Sequence, residues 1–299
     1  MAIRVTQGMI TTQLTRNLNS NMARMSQIEN QMSTGRSINK PSDDPVGVTY
    51  ALRYRSELSS NGQYQDNVGS ALSWLSFSDK MLDQAGTIMN RIKELTVQAT
   101  SGTNTQSGLD SINNEVVELK NQLINIGNSQ INGKYIFNGQ NYNKQPYQDA
   151  ALAASALTDS GDVTYQLSAG IVSSVNVSGN GVFGKPGEAD NVFNILDKLS
   201  AALTGGKIED ARNLLSDIAT RSDTVISERA SIGAKVNRVE LMEGRLNDLE
   251  VILTDLQSKT EDIDYEKVLI QSKINDNIYQ ASLAVGAKII TPTLVSFLS

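Results

Sequence analysis

The chain has 299 residues and neither cysteine nor histidine, which excludes disulfides, thiolate nucleophiles, zinc–cysteine sites and histidine acid–base chemistry. Its formal charge is −6, its lysines and arginines are scattered, and aromatic residues make up only 5%. It therefore offers neither the basic footprint nor the stacking platforms of a nucleic-acid binder, and no stretch approaches the ~20 consecutive apolar residues of a membrane span.

Residues 4–33 read as a helix rich in Asn, Gln and Met, with Leu14, Leu18, Met25, Ile28 and Met32 at coiled-coil spacing. Met1 to Thr15 holds no apolar core or small-residue cleavage site, so it does not read as a secretory signal. Gly35 suits a positive-φ helix cap. Ser33 to Pro45 is a connector, and Asp44-Pro45 forms an N-cap and first-turn pair for the next helix. Capping is also the plain reading of Asp43-Asp44, against a metal or acid–base pair.

Residues 45–100 read as one long helix with Leu72, Leu75, Leu82, Ile88, Ile92, Leu95 and Ala99 on its apolar face. The lone Trp74 lies on that face and reads as core. Arg91, Glu94 and Gln98 share a polar face, either a solvated stripe or a lateral contact. Ser101 to Asn104 breaks the helix, and a second follows over 106–130 through Ile112, Val116, Leu119, Leu123 and Ile126.

The middle changes character. Strands are predicted at Tyr135–Phe137, Val163–Leu167 and Val172–Val177, punctuated by Gly, Asn and Ser. Gly179 to Gly184 matches G-x-G-x-x-G, but Lys185-Pro186-Gly187 follows at once and no βαβ unit surrounds it. Asn180-Gly181 between apolar pairs predicts a type I′ hairpin instead.

Helices resume at 189–203, break at Gly205-Gly206 and run from about 208 to 285. Ile232, Val236, Val239 and Met242 step by four, three and three, which predicts a stammer in the seam. Met242, Leu246, Leu249, Leu253, Leu256, Thr260 and Ile263 form a ladder, and Ile270, Ile274, Ile278 and Ala281 extend it. Asp262 and Asp264 are placed on its solvated side. The apolar tail from Ile289 to Leu298 reads as a docking edge.

The predicted fold is mainly α with a β-rich insert: a long helical bundle or coiled coil built from both termini, with a small β domain in the middle. Its divisions are 1–40 with 260–299, 45–135 with 188–259, and 136–187. Helices with stripes this narrow cannot finish their burial alone. Both termini are expected to be mobile in the monomer and to gain order on assembly.

Three blocks carry a resemblance. Met32 to Pro45 resembles the connector of the bacterial flagellin family, Arg91 to Ala99 its subunit-facing helix block, and Ser227 to Arg238 the matching C-terminal block. The likeness covers roughly 1–140 and 190–299. Lys40-Pro41-Ser42-Asp43-Asp44-Pro45, the entry segment Gly133 to Gly139 and the tail Lys288 to Leu298 are closer to junction members than to filament-forming flagellin, which is the alternative. The resemblance implies an adaptor between hook and filament: a ring of about eleven copies with its termini in an inner coiled-coil layer. It implies the first hook-associated protein and flagellin as partners. It further implies a cytoplasmic export chaperone and passage through the flagellar type III apparatus.

Leu14, Leu18, Met25, Ile28, Met32, Arg91, Glu94, Gln98, Arg229, Leu246, Leu249, Leu253, Leu256, Ile263, Ile270 and Ile274 are the expected assembly interface. No catalytic residue, metal or cofactor is expected; an enzyme in the insert is the different-class alternative, and the insert offers no assembled acid–base or metal set for one.

Overall fold

A computed structural model describes residues 7–101 and 104–289. The first residues of the 4–33 helix, Gly102-Thr103 of the predicted break and the apolar tail beyond residue 289 lie outside it. Seven α-helices are described: α1 Gln7–Thr34, α2 Pro45–Ala99, α3 Gln106–Gly127, α4 Gly179–Phe183, α5 Val192–Thr204, α6 Ile208–Glu261 and α7 Tyr265–Ile289. The strands are few and short: β1 Gln130–Ile131, β2 Lys134–Tyr135, β3 Thr164–Ser168 and β4 Ile171–Ser174. The chain divides into two compact units, one formed by its two ends up to Ser60 and from Glu250, the other by Asn61–Leu249.

In the Asn61–Leu249 unit, α2, α3, α5 and α6 form a bundle. Val68, Leu75, Leu82 and Met89 recur every seven residues on α2 and are almost wholly buried; so do Val225, Ile232, Val239 and Leu246 on α6. A strict heptad turns one seam toward a partner helix along its whole length. Polar ties link neighbouring helices of the bundle. The Asn61 side-chain amide donates to the Leu246 carbonyl at 3.0 Å, Arg91 meets Glu115 of α3, and Lys120 of α3 meets Asp197 of α5.

The predicted stammer is not present. Val236 is only half-buried, while Ile232 and Val239 stay inside at seven-residue spacing. Val236 packs against the side of the core rather than in the seam itself.

The segment between β2 and α5 is mostly turns. It holds one ribbon, β3–β4, irregular between Gln166 and Ser168, and two single turns of 3-10 helix, Gly139–Asn141 and Ala153–Ser155. The strand expected at Tyr135–Phe137 ends at Tyr135. Ile136 and Phe137 leave the ladder and both bury completely, which no half-exposed strand permits for neighbouring residues. Phe137, Tyr147, Phe183 and Phe193 then form an aromatic cluster with ring centroids 5.0–5.7 Å apart. Burial there pushes the Tyr147 phenol above its ordinary range.

The hairpin predicted at Asn180-Gly181 is instead the short helix α4. Ser178 caps it, accepting from the Asn180 amide at 3.3 Å, and the Thr158 hydroxyl accepts from the same amide at 2.8 Å. Adjacent Val182 and Phe183 are both buried, so packing overrides the two-residue turn signal. A Cβ on Gly184, where φ is +92°, would stand 2.6 Å from the Asn191 backbone. The glycine there serves close packing, and protein groups occupy the start of the helix. The type I′ signature is realised at Asn132-Gly133, between β1 and β2, with φ of 51° and 76°.

The helix predicted over 208–285 breaks after Glu261. Asp264 is not on a solvated helix face; it caps α7, accepting from the Lys267 amide at 3.1 Å. Asp262 lies in the break, bridged to Arg36.

Asp44 caps α2, accepting from the Val46 and Gly47 amides at 3.0 Å. Asp44→Ala should cost the terminal unit about 1 kcal/mol, read as a lower urea midpoint with an unchanged slope. An unchanged midpoint would mean the cap carries nothing.

Candidate assembly surface

The surface is built on the unit formed by the chain's two ends. There α1 and α7 pack against each other. Their order is antiparallel: a Cβ on Gly286 would come within 2.7 Å of a Leu14 methyl. Along α1 the covered positions are Leu14, Leu18, Asn21, Met25, Ile28 and Met32, at alternating steps of four and three. Along α7 the covered positions are Val268, Ser272, Asn275, Tyr279, Ser282 and Gly286, at the same steps.

The two faces are unlike. α1 presents mostly apolar side chains, whereas α7 turns Ser272, Asn275, Ser282 and Gly286 inward beside Val268 and Tyr279 and keeps most of its large apolar residues outward. Leu269, Ile270, Ile274, Ile278, Leu283 and Val285 are each between 43% and 60% exposed. A helix that hides serine, asparagine and glycine while showing isoleucine and leucine has apolar surface left uncovered among the described residues.

The expected interface residues thus separate. Leu14, Leu18, Met25, Ile28 and Met32 belong to the internal seam, with Ile28 fully covered. Leu246 and Leu253 are buried, whereas Leu249 and Leu256 are at the surface. Ile263 is not on a helix; it lies in the break, its amide donating to the Gly35 carbonyl at 3.1 Å. Ile270 and Ile274 lie on the outward stripe.

The charged residues are engaged within the Asn61–Leu249 unit. Arg91 binds Glu115 at 2.7 Å and Glu94 at 3.2 Å, and these bonds, Glu115 first, push its pKa up. Arg229 clips α6 to α2 through Asp79 and Asp83 and is pushed up chiefly by Asp79. Gln98 is exposed, and its carbonyl accepts from the Asn104 side chain at 2.6 Å.

The pattern of exposure splits the Leu253/Leu256 pair. Leu256→Asp should leave the melting temperature near that of the parent, because surface substitutions usually stay within ±0.5 kcal/mol. Leu253→Asp should cost roughly 3 kcal/mol or more by burying an unpaired polar group. Equal melting temperatures for the two variants would refute the assignment of faces.

Sequence reasoning missed the cluster at Glu261. This carboxylate ends α6 and is 2% exposed. Arg55 grips it with two nitrogens, and Arg36 stands 3.5 Å away. The hydrogen bond to Glu261 pushes the Arg55 guanidinium above its ordinary value. The available signal was a glutamate one step beside the ladder position Thr260, followed at once by Asp-x-Asp. Among the described residues, no group of three acidic side chains could hold a metal ion.

Residues 5–142 match the bacterial flagellin N-terminal helical region. The chain is 24% identical over 261 residues to flagellar hook-associated protein 3 of Escherichia coli K12, covering 81% of this chain and 82% of that one. The corresponding protein of Salmonella typhimurium LT2 is 25% identical over 263 residues with the same coverage. A flagellin of Escherichia coli O127:H6 is 29% identical over 228 residues, but these are only 40% of its length. Among solved structures, flagellar hook-associated protein 3 of Legionella pneumophila aligns with a TM-score of 0.61 at 15% identity, covering 70% of this chain and 98% of that one. Bacillus cereus FlgL aligns at 0.58 and 21% identity, covering 69% and 99%. The N-terminal helical region, the mainly helical fold and the likeness to hook-associated protein 3 over most of both chains agree, and together they make this chain similar to the bacterial flagellin family.

Proposed function

We propose that this chain is a structural component of the bacterial flagellum, an adaptor that joins hook to filament. The observation that carries the reading is the extent of the likeness. The match to hook-associated protein 3 runs over 82% of that protein, whereas the match to the longer flagellin leaves most of it uncovered. The outward stripe of α7 supports it physically, since apolar surface of this kind is stable in water chiefly when a neighbouring helix covers it.

In this reading the chain has three parts: a terminal coiled coil from 1–40 and 260–299, a helical bundle from 45–135 and 188–259, and an outer domain from 136–187. About eleven copies close a ring. The outward α7 stripes of their packed terminal pairs meet neighbouring subunits. The ring meets the first hook-associated protein on one side and flagellin on the other. A cytoplasmic chaperone shields the C-terminal ladder before the chain leaves through the flagellar export apparatus.

Deleting the gene in a flagellated host tests the reading. Cells should keep intact hooks and shed flagellin into the medium. Filaments remaining on such cells would overturn the junction role, and antibody labelling along whole filaments would show a filament-forming flagellin instead.

A further inference from the structure

Two chain crossings meet at one residue. The connector from α1 to α2 and the turn from α6 to α7 are tied where the Glu261 carbonyl accepts from the Ser37 amide at 2.6 Å and the Ser37 hydroxyl at 3.0 Å. The Ile263 amide returns a bond to the Gly35 carbonyl at 3.1 Å, and Gln31 donates to the Ser37 carbonyl at 3.0 Å. The Glu261 side chain draws in Arg36 from the connector and Arg55 from α2. The three charges thus come from three separate segments.

A buried ion pair is a poor source of net stability, because desolvation offsets most of the attraction; well-packed apolar residues of similar size do as well or better. What such a cluster supplies is direction. The two-nitrogen grip of Arg55 fixes the plane of the carboxylate, whereas an apolar contact has no preferred angle. Ser33, Thr34, Lys40 and Asp262 around this joint are all exposed.

We propose that Arg36, Glu261 and Arg55 form a latch that sets the angle at which the α1–α7 pair leaves α2 and α6 within the terminal unit. Glu261 is then a positioning residue, and the latch holds the terminal pair in its direction before any neighbour arrives. The inference does not depend on the flagellar reading: it concerns the isolated chain.

The absence of native cysteine makes the test direct. Spin labels at Arg24→Cys on α1 and Ser56→Cys on α2, both exposed, report the angle as a distance distribution in the full-length chain. The parent should give one narrow distribution. Glu261→Gln should broaden it below the melting transition and speed exchange of the Ser37 and Ile263 amides about tenfold. The buried Val175 amide of the other unit, which donates to Val163 at 2.9 Å, should keep its rate. Arg55→Lys, which keeps the charge and loses the fork, should broaden it less, and the swap Arg55→Glu with Glu261→Arg should narrow it again. A narrow distribution in Glu261→Gln would overturn the latch even if the melting temperature falls. Should that variant not fold, a narrow distribution in Arg36→Ala together with Arg55→Lys would overturn it equally.

Discussion

A chain carrying Ile270→Asp and Ile274→Asp should fold as its parent does and fail to assemble. The two side chains are 60% and 50% exposed on α7, so the isolated chain loses little packing. The main cost to the monomer is helix propensity, about 0.5 kcal/mol for each aspartate. In an assembly the same positions would be covered, and an uncompensated carboxylate in an apolar seam costs several kcal/mol after relaxation. Two such penalties per subunit, repeated around the proposed ring, would exceed what a weak interface tolerates. Circular dichroism and thermal melting should therefore match the parent within a few degrees. Incorporation at the hook tip, scored by labelling and by motility, should fall to background. Wild-type motility with this double variant would sink the assignment of the stripe.

Phe193→Ala should give the largest loss of stability. Phe193 is wholly buried and lies 5.0 Å from the Tyr147 ring and 5.5 Å from Phe183. Truncating a buried phenylalanine costs about 3–5 kcal/mol through lost transfer energy and the cavity left behind, and the lost aromatic pairs add to it. The cluster joins α5 to the Phe137, Tyr147 and Phe183 segments, so loosening should spread through them. Urea unfolding should show a midpoint shift of that size, and hydrogen exchange around Gly179 should accelerate with it. A loss under about 1 kcal/mol would mean that the neighbouring rings close over the gap.

The long helices were legible because burial repeats every seven residues over many turns, and Leu75, Leu82, Ile92 and Leu123 all landed inside. The Gly35 cap and the Asp44 N-cap were legible because each rests on local chemistry, and both are present. What failed depended on partners distant in sequence. Asn180-Gly181 carries the same dipeptide as Asn132-Gly133, and only the second is a hairpin turn. Thr158, 22 residues away, decides the difference by accepting from the Asn180 amide. The α6–α7 break was missed because the apolar spacing runs past it, while Asp264 announced a cap that the ladder concealed. The faces of α7 were hidden for a related reason. Periodicity finds a stripe but does not say whether it points into its own chain, and here the inward stripe is the serine and glycine one.

The seven-residue burial on α6 also governs how this chain can change in length. Adding or losing one residue between Val225 and Leu246 would rotate everything beyond it by about 100°, turning Leu246 out and a polar neighbour, Arg245 or Asn247, in. Compensation would require an indel of a whole heptad, or a matching change on α2. The turns between Asp149 and Asp162 carry no such periodicity, so insertions there leave every helix in register. Relatives of this chain should accordingly differ in size almost wholly through that middle segment, and the helical rods should keep their residue count.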